Sequence, residues 1–230
     1  MKRRELKEKR TANRKIFENA DHSVTTEIYL DAVHYQKEDG TWKEMDDTFV
    51  EEDSEEFPGA VSEDGISEQE ADTDYVNKKG KFKVRVKKHA KEQGTVTVSY
   101  GEAALTWGLQ GTLKVSAQKV NPKELLYKEV LQDVDLRCRI FGERVKEDLI
   151  LTKPSCSGNF TFSYRMKNLT AVQEKDHITF RNSQDEEVFI VYAPYMKDAA
   201  GEKTESVKLS LTQEKAGRCS IIIQADEEWL

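Results

Sequence analysis

What this chain lacks narrows the choices before anything it contains does. Its three cysteines, Cys138, Cys156 and Cys219, are odd in number and widely spaced. They form neither a disulfide framework nor a zinc-site pattern, and each reads as a small buried apolar residue with a free thiol. No apolar run approaches the roughly 18 residues that a membrane-spanning helix needs, so no membrane span is expected. A G-x-S-x-G elbow, an H-E-x-x-H zinc helix, a phosphate loop and a G-x-G-x-x-G turn are all missing. The four histidines, His22, His34, His89 and His177, have no partner at i+2 or i+4 and read as surface or strand-edge residues. The stretch "KDAAGEK" lacks the alternating acids of a calcium loop. The expectation is a chain without catalytic residues, cofactor or metal, and not an enzyme.

What is present is a polar, charge-rich mixture. Of 230 residues, 34% are charged and 37% hydrophobic, and the net charge is −7. Binding to phosphate backbones requires a concentrated basic surface, so the sequence is read as having no nucleic-acid partner. The length suits one folded unit with an insert. Residues 1–24 read as an N-terminal basic segment and residues 25–230 as a single β-rich domain. The stretch Glu51 to Asp74 carries eleven acids and no basic residue. With no amphipathic period, it reads as a disordered acidic insert, bounded at 51–76.

Period-two alternation dominates the remainder. In "GKFKVRVKK", Phe82, Val84 and Val86 alternate with Lys81, Lys83, Arg85 and Lys87, the pattern of a half-exposed strand. "KEQG" turns this run into "TVTVSYG". "NFTFSYRMK", "DHITFRN", "EVFIVYAPYM", "SVKLSLTQ" and "CSIIIQAD" come later, with turn signals roughly every ten residues. "TTEIYLDAVHYQKEDGTWKEMDDTFV" reads as two strands about "KEDG", with Ile28 and Leu30 on one face. Short helices are expected only at "RRELKEKR" and at "NPKELL", where Asn121 would cap and Pro122 take the first position. The fold class is therefore all-β: an antiparallel β-sandwich or two packed sheets with a long acidic loop.

Few residues stand out as candidate sites. The aromatics Trp42 and Trp107 are candidate glycan contacts, although alternating runs favour core packing for most aromatics. The basic stripe from Lys81 to Lys88 reads as a solvated strand face, with the acidic insert as its partner. In "VDLRCRIFGERVKEDLIL", Leu136, Cys138 and Ile140 alternate with charged neighbours; "FGER" turns the chain; Val145, Leu149 and Leu151 resume the apolar face. Glu147 falls on that face. A carboxylate there must be paired or hydrogen-bonded, which makes it a candidate structural acid with Arg137 or Arg139 as partner, reached by a bulge at Gly142.

The stretches "TTEIYLDAVHYQKEDGTWKEMDDTF", "KGKFKVRVKK…LTWGLQG", "YKEVLQDVDLRCRIFGERVKEDLIL" and "EVFIVYAPYMKDAAGE…CSIIIQADEEWL" together resemble the N-terminal region of Gram-positive RHS-repeat proteins of the wall-associated, polymorphic-toxin type. There such a module precedes a DNRLRE-type domain and an RHS shell. The resemblance covers about Thr11 to Leu230 and implies a non-catalytic structural or interaction module, secreted or at the cell surface. Its expected partners are the other domains of the same polypeptide, with cell-wall glycan binding as the alternative. The family pattern comes after a signal peptide, whereas "MKRRELKEKRTANRKIF" has no apolar stretch, and the family continues beyond "DEEWL". The chain is accordingly expected to be a fragment, an internal piece or a truncated relative.

Overall fold

A computed structural model describes residues 3–37, 39–52, 73–154, 157–214, 217–226 and 228–229. Three short strands open the chain: β1 (Arg4–Glu5), β2 (Arg14–Glu18) and β3 (Val24–Ile28), an antiparallel sheet in that order. The turn between β1 and β2 holds a single 3₁₀ segment, η1 (Lys7–Lys9). Next comes a two-stranded ribbon, β4 (His34–Gln36) and β5 (Trp42–Glu44), closed by the Lys37 N–H donating to the Thr41 carbonyl at 2.9 Å.

Most of one large sheet is built next: β6 (Asp46–Glu51), β7 (Tyr75–Lys79), β8 (Lys83–Val86), β9 (Val96–Tyr100) and β10 (Ala103–Leu109). The chain then leaves it for a four-stranded meander, β11 (Ala117–Asn121), β12 (Glu124–Leu131), β13 (Val134–Phe141) and β14 (Arg144–Leu151). It returns beside β10 as β15 (Asn159–Lys167). A three-stranded sheet of β16 (Thr170–Gln173), β17 (Ile178–Arg181) and β18 (Glu187–Val191) precedes the small ribbon β19 (Met196–Lys197) and β20 (Lys203–Thr204). Finally β21 (Val207–Gln213) and β22 (Arg218–Ala225) complete the large sheet, whose order is β21-β22-β15-β10-β9-β8-β7-β6.

The large sheet is one layer and the two smaller sheets form the other. Trp107 and Tyr164 are cross-strand neighbours on the inner face of β10 and β15. Trp107 reaches Glu147 of the meander, while Tyr164 stacks on Phe180 of β17 at 5.7 Å between ring centres. Both smaller sheets therefore cover the same face. Between the layers lie Val84, Val86, Val98, Leu105 and Leu109 from one side and Leu125, Tyr127, Leu136 and Ile140 from the other. The outer face of the large sheet is polar, with Thr97 and Thr106 side by side. One packed and one wet face produce the alternation that the sequence displays. Each fully buried Val or Leu contributes about 1.5–3 kcal/mol of transfer free energy.

Both edges of the large sheet are occupied. At β6 the Phe49 N–H donates to the Pro122 carbonyl at 2.7 Å, and the Lys119 ammonium donates to the Phe49 carbonyl at 2.5 Å. At β21 the Leu211 N–H donates to the Gln173 side chain at 2.8 Å.

The all-β expectation holds, and several local expectations are corrected. "RRELKEKR" forms β1 and one 3₁₀ turn, because Leu6 and Arg10 are drawn into contacts with β2 and Glu5. In "NPKELL" the Asn121 side chain accepts from the Lys123 N–H at 2.9 Å, which makes a hairpin turn; Leu125 and Tyr127 then continue by strand alternation into the core. A boundary between residues 24 and 25 would fall inside β3, which pairs with β2, so the first residues and β3 belong to one sheet. Ile28 and Leu30 are exposed, since β3 joins that small sheet and not the sandwich. At the acidic insert, Glu51 and Tyr75 are strand partners and Val76 is buried; residues 53–72, on which the disorder expectation rests, lie outside the described residues.

Candidate functional site

Two places gather polar chemistry. The first is a groove of about 840 Å³ at the N-terminal end, walled by η1, the β4–β5 ribbon and the end of β7. The ribbon's register sets Tyr35 opposite Lys43 and Gln36 opposite Trp42, successive pairs that alternate between its faces, and both half-buried aromatics contribute atoms to the groove wall. Arg10 lies at its base in a two-pronged pair with Glu5, at 2.7 Å for each bond. That hydrogen bonding holds the Glu5 carboxyl below the usual range and the Arg10 guanidinium above its own. Beneath them His34 is buried; its Nδ1 lies 2.8 Å from the Thr11 carbonyl and its Nε2 3.9 Å from the Glu5 carboxylate. Glu44, on the rim, is paired with Lys15. Lys7, Lys37, Lys43 and Lys79 are exposed and, among the described residues, have no carboxylate within ion-pair reach. Glu8 also lines the groove, whose lysines outnumber its unpaired carboxylates, with Tyr35 and Trp42 in its wall. It presents no nucleophile set beside a base.

The second place is the interior of the meander hairpin. The register between β13 and β14 runs unbroken from Val134↔Leu151 to Phe141↔Arg144 and sets Cys138 opposite Glu147. No bulge occurs. Gly142 opens a two-residue turn with φ +54°, where an L side chain would be strained. Its N–H donates to Asp47 at 3.0 Å. Glu147 projects between the layers, where the Trp107 indole N–H donates to Oε2 at 2.6 Å and the Cys138 thiol to Oε1 at 3.8 Å. The residue keeps a partly exposed backbone edge, but its carboxyl is enclosed. Burial pushes its pKa up to about 7, against the opposing effect of the two donors; the Asp148 charge adds to the rise. Arg137 and Arg139 are not its partners. They turn to the opposite face, as alternation requires, and bind Asp148 at 3.1 and 2.6 Å. Burial alone would raise the Asp148 pKa, but hydrogen bonds from Arg139 and Lys146 outweigh it and hold this carboxyl low.

Of the sequence candidates, Glu147 is a hydrogen-bonded acid in the sandwich, Trp42 lines the groove, and Trp107 is only 7% exposed. The Trp107 ring stacks on Tyr164 at 5.6 Å with a 14° interplanar angle, which leaves no face for a sugar. The basic stripe meets the borders of the acidic insert: Arg85 pairs with Glu52, and Lys87 with Asp74 at 2.7 Å. Cys138 and Cys219 are free and buried, and Cys156 lies outside the described residues. His34 corrects the expectation of surface histidines. Sequence reasoning missed the groove because it assigned Lys7 and Arg10 to a basic segment, and no local pattern marks them as its wall.

No protein-family model matches the chain, and no solved structure matches it. Curated relatives do. A protein of Bacillus subtilis strain 168 named tRNA nuclease WapA is 25% identical over 98% of this chain and 10% of its own length. One of Bacillus spizizenii named tRNA3(Ser)-specific nuclease WapA is 26% identical over the same shares. A wall-associated protein of Geobacillus stearothermophilus is 24% identical over 85% of this chain and 75% of its own length. The chain spans about a tenth of the length of the nuclease relatives. Two expectations are corrected by these names: that the chain is not an enzyme, and that it has no nucleic-acid partner, since its relatives are named as nucleases of tRNA. The wall-associated relative agrees with the expected secreted or cell-surface location. Among the described residues no helix is long and apolar enough to cross a membrane.

Proposed function

We propose that this chain is the structural and wall-interaction module of a wall-associated protein of the tRNA-nuclease type. The observation that carries the reading is the match to the Geobacillus stearothermophilus wall-associated protein, which takes in three quarters of that relative as well as most of this chain. A protein named for the wall therefore consists largely of the shared region. The nuclease activity in the other relatives' names enters the same proposal as an activity of the whole protein. So do the RHS shell and the DNRLRE-type domain that the sequence resemblance implies.

The fold supports this role physically. A sandwich with a dry interior, occupied sheet edges and charged rims is a rigid carrier, and its accessible chemistry is the cationic, aromatic groove. The test is co-sedimentation of the purified chain with purified Gram-positive cell walls. Pelleting with the walls, saturable and competed by unlabelled chain, is the expected result. A chain that stays in the supernatant at micromolar concentration overturns the proposal. The second reading, a carbohydrate-binding module, is favoured by the exposure of Trp42 and Tyr35 on one groove and is separated from the first by the chemistry of the bound wall component.

A further inference from the structure

We infer that the groove between η1 and the β4–β5 ribbon takes a phosphodiester-linked glycopolymer of the cell wall, an inference that rests on the wall-association reading. Four lysines, Lys7, Lys37, Lys43 and Lys79, ring the groove without a carboxylate in ion-pair contact among the described residues; they outnumber Glu8, which lines the groove, and Asp39, which lies within electrostatic reach of Lys37 and Lys43, while the Arg10 and Glu44 charges are neutralised by Glu5 and Lys15. The groove keeps a local surplus of positive charge although the chain as a whole carries −7. Flexible ammonium groups suit the non-directional capture of successive phosphates as point charges. Trp42 supplies an aromatic face between them, on which a sugar ring can pack.

Shape and charge favour one class of polyanion over another. A single flexible strand can lie in the groove and avoid the rest of the surface. A folded RNA is wide and rigid and bears its charges on every side, so few of its phosphates could reach lysines set around a groove of this size. With four lysine–phosphate contacts, the logarithm of the binding constant should fall with the logarithm of salt concentration at a slope of about −3, the single-strand value for four charges.

The experiment measures binding of the chain to glucosylated poly(glycerol phosphate) oligomers by fluorescence anisotropy, and pelleting with native walls and with walls stripped of phosphate polymers by hydrofluoric acid. Expected are saturable binding with that salt slope, pelleting lost on stripped walls, and a loss of about tenfold or more in Lys37→Glu/Lys43→Glu. Trp42→Ala should weaken binding without changing the slope. Circular dichroism and melting of each variant verify folding, and the milder Lys37→Gln/Lys43→Gln replaces any that fails. Equal pelleting with stripped and native walls overturns the groove inference and leaves wall association intact. Failure to pellet with either overturns both. Tighter binding of a single-stranded RNA oligomer than of the polymer, with the same lysine dependence, also overturns the inference.

Discussion

Raising the pH should destabilise this protein through Glu147. Its folded pKa of about 7 stands above the ordinary 4.5 because the carboxyl is desolvated between the two layers. A group whose folded pKa is raised binds its proton more tightly when folded. Its contribution is complete below about pH 4.5 and is lost as the pH rises through 7. At 1.36 kcal/mol per unit the full loss is about 3 kcal/mol, a large share of a domain's net stability. The assay is urea denaturation of wild type and Glu147→Gln at half-unit steps from pH 4 to 8. The glutamine can still accept from the Trp107 indole but cannot ionise. The two proteins should be nearly equal at pH 4, and the variant should be more stable by about 2–3 kcal/mol at pH 8. Glu147→Ala strands the buried indole N–H and should cost about 1–3 kcal/mol at pH 4. The reasoning is refuted if the difference between wild type and Glu147→Gln stays flat within about 0.5 kcal/mol across the range.

Three further outcomes can be checked. Leu136→Ala removes a fully buried side chain from the middle of β13 and should cost about 2–5 kcal/mol in the same denaturation assay; a loss under 1 kcal/mol would mean the layers are not packed there. Gly108→Ala would bring a Cβ to 2.1 Å from the Lys91 carbonyl, a backbone atom that must move, so a loss of about 2–3 kcal/mol is expected from thermal melts; Ala tolerated without cost would contradict the close approach. Burial raises the Cys138 and Cys219 pKa values, Cys219 to about 11, so both thiols should resist labelling at pH 8 in the native protein and react in denaturant; rapid native labelling of either would count against their burial.

Legibility in the sequence followed the range of the interaction. Val84, Val86, Val96 and Val98 could be assigned to an inner face because the period of two is a local property. The hairpin about "FGER" could be read for the same reason, but its register could not: the bulge expected at Gly142 is absent, and Cys138 stands opposite Glu147. The partner of Glu147 could not. Trp107 lies 40 residues away on another sheet, and only the stacking of two layers brings it within 2.6 Å. The same limit hid the groove, whose walls come from the first ten residues, the ribbon and the end of β7. It also misled the reading of Ile28 and Leu30, whose alternation is that of a core strand although their sheet leaves them exposed. Alternation identifies a strand but not its neighbours, so it favours core packing for the Trp107 ring without naming Tyr164 as the residue stacked on it.

The contacts at the edges of the large sheet have a consequence for how copies of the chain meet when crowded. An open strand edge is a template: a second chain can add to it, then a third, and a secreted protein held at high local concentration would polymerise. Here the Pro122 carbonyl, the Lys119 ammonium and the Gln173 side chain already engage the Phe49 and Leu211 backbone groups at the two ends of an eight-stranded row. Those contacts take up backbone groups that another copy would need for pairing, and so work against the zipping of crowded copies into fibrils.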